Sequence, residues 1–434
     1  MNHSGRLAAA LIASVPLLPI ASAAAVVPPA VDAALLPRPA PAGPLRPTEQ
    51  RQPCYQSPAD GTTTGGNPFG LESVWPLTRG QGQTIAVIDT GVARHRLLPH
   101  LLGGGDYVSH GDGTADCDGH GTIVAGIAGG APSDGFSGVA PDAAILAIRQ
   151  SSNKFAEDGG STGVGDVDTL AMAVRTAADL GATVINISSV ACVAATAAPD
   201  DRALGAALSY AVDVRNVVVV TAAGNVGAGC EQQDSLAGVA GAPDWDSVRS
   251  ISSPGWYDDL VLCVGSVGSG GAASVFSLAG PWVDVAAPGE NLVSLHPDGE
   301  GLIDTIGRET PISGTSYAVP VVAGIAALVR SRFPHLSARE VMRRIEDTAR
   351  TPADGWNPLV GHGVVDALAA VSGGTPSSAV LPAVPVAVRP STPTPTDPQP
   401  RRIAFGGAAV CLGATVLTAL TVAAGRLRRR VPHG

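Results

Sequence analysis

Four short polar clusters, far apart in the chain, hold residue types that together can cleave an acyl bond: Asp89-Thr90-Gly91, His120-Gly121-Thr122, Ala222-Ala223-Gly224-Asn225 and Gly314-Thr315-Ser316. A serine hydroxyl is a weak nucleophile until a histidine can take its proton. That imidazole in turn needs a carboxylate to fix its tautomer and hold its charged form. An asparagine amide can donate to the oxyanion of a tetrahedral intermediate. Each residue also has a plainer reading, with Asp89 and Asn225 as turn residues and Ser316 as a helix cap, so the flanks carry the argument.

The flanks are elements that could aim these groups at one point. Residues 84–88 form an apolar, largely β-branched run that ends in Asp89 and Gly91, the pattern of a buried strand opening into a turn. His120 stands between two glycines at the start of a stretch of small residues, with little bulk to stop its ring meeting two partners. Val217-Val218-Val219-Val220 reads as a buried strand running into Asn225. Ser316 precedes the apolar helix-like run 321–329, in a first turn where free N–H groups and the helix dipole favour negative charge. Pro320 suits a helix only near its start. Further strand-like runs at 144–148, 183–187 and 260–264 alternate with helix-like stretches at 169–180 and 204–214. Ser337 with Glu340 makes a capping box for another helix reaching about residue 348. Such alternation predicts an α/β fold of three αβα layers around a mostly parallel sheet, with the site at the carboxyl ends of the strands.

On these motifs the chain resembles the subtilisin-like (S8) serine proteases, over about residues 74–368. D-T-G stands at Asp89, H-G-T-x-V-A-G at His120, A-A-G-N at Asn225 and G-T-S-x-A-x-P at Ser316, in the order Asp, His, Ser that subtilisins use. Further landmarks are Gly138-Val139-Ala140-Pro141, Val285-Ala286-Ala287-Pro288-Gly289 and Gly361-His362-Gly363. The resemblance implies Ser316 as nucleophile, His120 as base and then acid, Asp89 as its orienting carboxylate, and Asn225 with the Ser316 N–H as oxyanion donors. Ser188 and Ser189 fall where relatives bind substrate, but many of those carry Ser-Leu-Gly where this chain has Ser188-Ser189-Val190, so specificity does not transfer.

The ends of the chain indicate where the chemistry takes place. Arg6, an apolar run over 7–20 broken by Pro16 and Pro19, and Ala21-Ser22-Ala23 predict a signal peptide over 1–25. Residues 403–425 carry no charge and are long enough to span a bilayer, and Arg426, Arg428, Arg429 and Arg430 follow, so the C-terminus is expected in the cytoplasm over 426–434. Between them, 374–402 holds seven prolines from Pro382 to Pro400 and reads as an extended stalk. Residues 26–73 are too short and too poor in alternating apolar runs for a folded propeptide, and are expected to wrap the catalytic body at 74–373. The catalytic body is then extracytoplasmic, held at the cell membrane by a single pass.

A net charge of −10 argues against nucleic-acid partners. Peptide or protein substrates and the membrane are the expected contacts, no cofactor is required, and calcium is left unassigned. Asp112, Asp116 and Asp118 read as a solvated loop beside His120. Of the six cysteines, Cys411 lies in the predicted membrane helix and Cys263 in a buried-strand context that suits a free thiol. The remaining four allow three pairings, of which Cys54–Cys117 with Cys192–Cys230 is preferred. The whole layout resembles the mycosins of actinobacterial type VII secretion, which implies association with a secretion core complex. A structural role in that complex with dispensable proteolysis is the alternative.

Overall fold

The computed structural model describes residues 26–56 and 69–373, apart from 134, 162, 228, 234–240, 308 and 354. The predicted signal peptide, stalk, membrane helix and tail lie outside the described residues. Among those that are described, no helix is long and apolar enough to cross a membrane.

Seven parallel strands form the central sheet: β1 (Thr84–Asp89), β2 (Leu101–Asp106), β3 (Ala144–Arg149), β4 (Val184–Ile187), β5 (Val218–Ala222), β6 (Leu262–Val267) and β7 (Val285–Pro288). Their spatial order is β7-β6-β5-β4-β1-β3-β2. The inner strands are short, continuous apolar runs because both faces of a parallel sheet are covered, and every residue of β4 and β5 is buried. The two edge strands are less regular. Strand β2 is Leu-Leu-Gly-Gly-Gly-Asp and partly exposed, and β7 ends in Pro288, which an edge tolerates. The 260–264 run starts its strand two residues late because Asp258–Leu260 closes a 3₁₀ turn.

Helices α1 (His120–Gly129) and α4 (Thr315–Arg332) pack together on one side of the sheet, and α2 (Val167–Asp179) pairs with α3 (Arg202–Ser209) on the other. Helix α3 continues as a π turn over Tyr210–Val214. Helices α5 (Ala338–Asp347) and α6 (Ala367–Val371) follow α4, and the Ser337–Glu340 capping box is formed. Apart from Ser316, Arg330, Ser331 and Arg332, every residue of α4 is buried, which is why the helix is made of small and apolar residues on every face.

Residues 26–56 run along this body. The Val26 N–H donates to Trp245, Arg175 Nη1 donates to the Pro37 carbonyl at 3.0 Å, and Thr48–Gln50 pairs antiparallel with Phe155–Glu157. The run reaches Tyr55, whose N–H donates to the Cys117 carbonyl at 2.7 Å, beside the Cys54–Cys117 disulfide. A second bridge joins Cys192 to Cys230, and Cys263 is a buried free thiol.

Candidate active site

Strand β1 ends in a buried carboxylate. Asp89 Oδ1 accepts from His120 Nδ1 at 2.7 Å and from the Thr90 N–H at 2.7 Å, and Oδ2 is buried without a partner among the described residues. With Nδ1 committed to Asp89, the other ring nitrogen, Nε2, is left to handle a proton. The approach that makes this contact rests on one glycine. A Cβ on Gly121 would lie 2.0 Å from the Gly91 carbonyl oxygen, so any other residue would push α1 off the end of β1.

Asp116 ties the same two elements together. Its Oδ1 accepts from Thr90 Oγ1 at 2.9 Å and Gly119 N at 2.8 Å, and its Oδ2 from Thr122 N at 2.9 Å and Thr122 Oγ1 at 2.7 Å. Asp118 accepts from Ser152 Oγ and from the Asn153 N–H. The expected solvated loop is therefore corrected for these two residues: both accept hydrogen bonds from the folded body, Asp116 holding the first turn of α1 and Asp118 tying the segment before it to Ser152 and Asn153. Only Asp112 fits that expectation, exposed and paired with Arg94 at 3.3 Å. Acid residues spaced by two look alike in sequence whether they are solvated or hubs, and the donors that separate the cases come from 26 residues away at Thr90.

Ser316 is the second residue of α4, half-buried, and its neighbours on either side bring the remaining clusters in. Thr315 donates through N at 2.9 Å and Oγ1 at 3.1 Å to Asn225 Oδ1. With that oxygen occupied, Asn225 presents Nδ2 as its free end, the donor an oxyanion needs. Tyr317 sets its ring 5.1 Å from the His120 ring. Gly314 N donates to the Gly289 carbonyl at 2.9 Å, which gives the Val285-to-Gly289 landmark a physical task in seating α4.

Ser188 meets the main chain of Ser316. Its hydroxyl is buried, accepts from Asn186 Nδ2 at 2.9 Å and donates to the Ser316 carbonyl at 2.8 Å. The hydroxyl is thus turned into the body and braces α4, while Ser189 is half-buried beside it. The Cys192–Cys230 bridge closes the turn beyond Asn225, where Gly227 and Cys230 exchange backbone hydrogen bonds at 2.9 Å.

Burial alone would lower the His120 pKa, but the charge and hydrogen bond of Asp89, with Asp116 and Asp118 behind, outweigh it and raise it above the ordinary histidine value. Such an imidazole is a stronger base than a free one. The arrangement can carry out nucleophilic acyl transfer. Among the described residues no group of three His, Cys, Asp or Glu could hold a metal ion.

Residues 80–363 match the subtilase family model, well over half of the chain. The chain belongs to the subtilase family. This subtilase is 58% identical over 93% of its length to mycosin-4 of Mycobacterium tuberculosis, covering 92% of that protein. It is 44% identical to mycosin-3 of the same organism, with 93% and 94% of the two chains covered. Among solved structures it is similar to the MycP3 protease from the type VII (ESX-3) secretion system, at TM-score 0.73 and 44% identity over 80% of this chain and 100% of that one. A chain in the structure of an intact ESX-5 inner membrane complex is 38% identical, with TM-score 0.73, over 91% of this chain and 100% of its own. The subtilase is accordingly a subtilisin-like serine endopeptidase with a subtilisin-like α/β fold.

Proposed function

We propose that this subtilase is a membrane-anchored, extracytoplasmic endopeptidase that processes exported proteins alongside a type VII secretion system. Ser316 Oγ attacks the scissile carbonyl and passes its proton to His120 Nε2. Asp89 holds the imidazolium through Nδ1, and Asn225 Nδ2 with the Ser316 N–H binds the oxyanion. Collapse expels the amine, which takes the proton from His120. Water, deprotonated by the same ring, then frees the acyl group from Ser316. The observation that carries this reading is the 2.7 Å Asp89–His120 hydrogen bond beside the helix that begins with Thr315 and Ser316.

In this reading residues 1–25 are removed on export, 26–73 wrap the body at 74–373, 374–402 form the stalk, 403–425 span the membrane and 426–434 face the cytoplasm. The uncharged 403–425 run with arginines after it supports the anchor. Likeness to mycosins supports the secretion role. Peptide hydrolysis by the purified chain tests the chemistry, and Ser316→Ala and Asp89→Asn are each expected to lose about 10⁴-fold or more in kcat.

A second reading, a scaffold of the secretion complex with dispensable proteolysis, is favoured by the likeness over 91% of the chain to a component of an intact inner membrane complex. Complementing a deletion strain with Ser316→Ala separates the two. Full rescue of secretion selects the scaffold, and no rescue selects proteolysis.

A further inference from the structure

The N-terminal extension sets an aromatic residue against the His120 side of the cleft. Tyr55 is half-buried. It is fixed at three points. Its N–H donates to the Cys117 carbonyl at 2.7 Å, its neighbour Cys54 is bonded to Cys117, and its hydroxyl accepts from the Gly307 N–H at 3.1 Å. Gly307 lies between Thr305–Ile306 and Thr310–Pro311, the paired segments that lead into α4. Its ring lies close over Gly119, the residue before His120, where an added Cβ would come within 3.3 Å of Tyr55 Cδ1.

These contacts give the position of Tyr55 a meaning for substrate. Asn225 marks one flank of the cleft and His120 the other. A peptide whose scissile carbonyl sits between them must carry its residues on the His120 side past Gly119, over which Tyr55 stands. Because the Tyr55 oxygen accepts from Gly307, its own O–H proton remains available for donation. The ring offers an apolar contact and the hydroxyl a donor for a peptide carbonyl.

We propose that Tyr55 is a specificity-determining residue of the peptidase, a wall of the substrate cleft supplied by the N-terminal extension and fixed there by the Cys54–Cys117 disulfide, selecting an apolar side chain at one substrate position next to the scissile bond. The proposal rests on the assignment of Ser316 and His120 to the reacting centre.

Binding read without turnover keeps the two claims apart. Full-length Ser316→Ala protein is titrated with a positional library of fluorescent, end-capped octapeptides, alone and with Tyr55→Ala or Tyr55→Phe added, and thermal unfolding is recorded for each. Tyr55→Ala is expected to weaken the best peptides about tenfold and to flatten the preference at one position only, while Tyr55→Phe keeps that preference. The Cys54→Ser, Cys117→Ser double variant is expected to flatten the same position. Unchanged affinities and preferences in Tyr55→Ala overturn the proposal, and so does a loss spread evenly over all positions. If Ser316→Ala protein still hydrolyses the library, the assignment of the nucleophile fails, and the preference lost or kept in Tyr55→Ala still decides the role of Tyr55.

Discussion

The Ser188 hydroxyl donates at 2.8 Å to the main-chain carbonyl of Ser316. Four residues on stands Pro320, which has no N–H to offer that carbonyl, so the helix bond an ordinary residue would make is missing. Ser188 supplies the donor from the end of β4, with Asn186 Nδ2 behind it at 2.9 Å. The nucleophile's backbone is therefore pinned to the sheet at the point where its own helix leaves it loose.

Ser188→Ala leaves that carbonyl without its donor, at a cost of about 1–3 kcal/mol for an unsatisfied buried acceptor. Peptide hydrolysis should show kcat reduced about tenfold with KM little changed, because the loss falls on the geometry of Ser316. Ser188→Thr keeps the hydroxyl and should recover most of the rate.

Asn225→Ala removes both the oxyanion donor and the acceptor for Thr315. Steady-state kinetics are expected to show kcat lower by about 10²–10³ with KM largely kept. An effect of similar size on KM and kcat would instead mean that Asn225 mainly holds α4 through Thr315.

The raised His120 pKa fixes the direction of the pH profile. As a base the ring must be neutral, so kcat/KM should climb with pH through a value above the ordinary histidine pKa of about 6.5. Asp118→Asn removes one of the charges that raise it, and the acid limb should then move to lower pH.

Stability should depend on pH through a different cluster. Burial, then Asp347 and Asp258, push Glu346 up to about 7, and burial with Asp259 pushes Asp258 to about 6. Unfolded carboxyls titrate near 4. Folded values above unfolded ones mean that this stabilisation is complete below about pH 4 and is lost as pH rises towards 7. Calorimetry should show Tm falling over that window, and less steeply in Glu346→Gln.

Breaking the Cys192–Cys230 bridge with a Cys192→Ser, Cys230→Ser pair frees a 38-residue separation and should cost about 2–4 kcal/mol in denaturant unfolding. Because the bridge closes the turn beyond Asn225, kcat should fall with it.

What could be read from the chain divides along physical lines. The inner strands are legible because a strand covered on both faces must be an unbroken apolar run, as Val218 to Ala222 is. Edge strands such as Leu101–Asp106 carry three glycines and no such run, so nothing local marks them. The polar clusters are legible because each sits at the junction of a strand or helix with a tight turn. Partnerships made at long range are not. Asp116 becomes a hub only when Thr90 and Thr122 are folded onto it, and Ser188 meets Ser316 across 128 residues. Tyr55 is one tyrosine in a proline-rich run until Gly119 and Gly307 are beside it.

The most direct test is to label the full-length protein with a fluorophosphonate and map the adduct by mass spectrometry. A single adduct on the peptide containing Ser316, absent in Ser316→Ala and slowed in Asp89→Asn, is the predicted result. An adduct on another residue, or one that persists in Ser316→Ala, would contradict the assignment of the nucleophile and with it the mechanism.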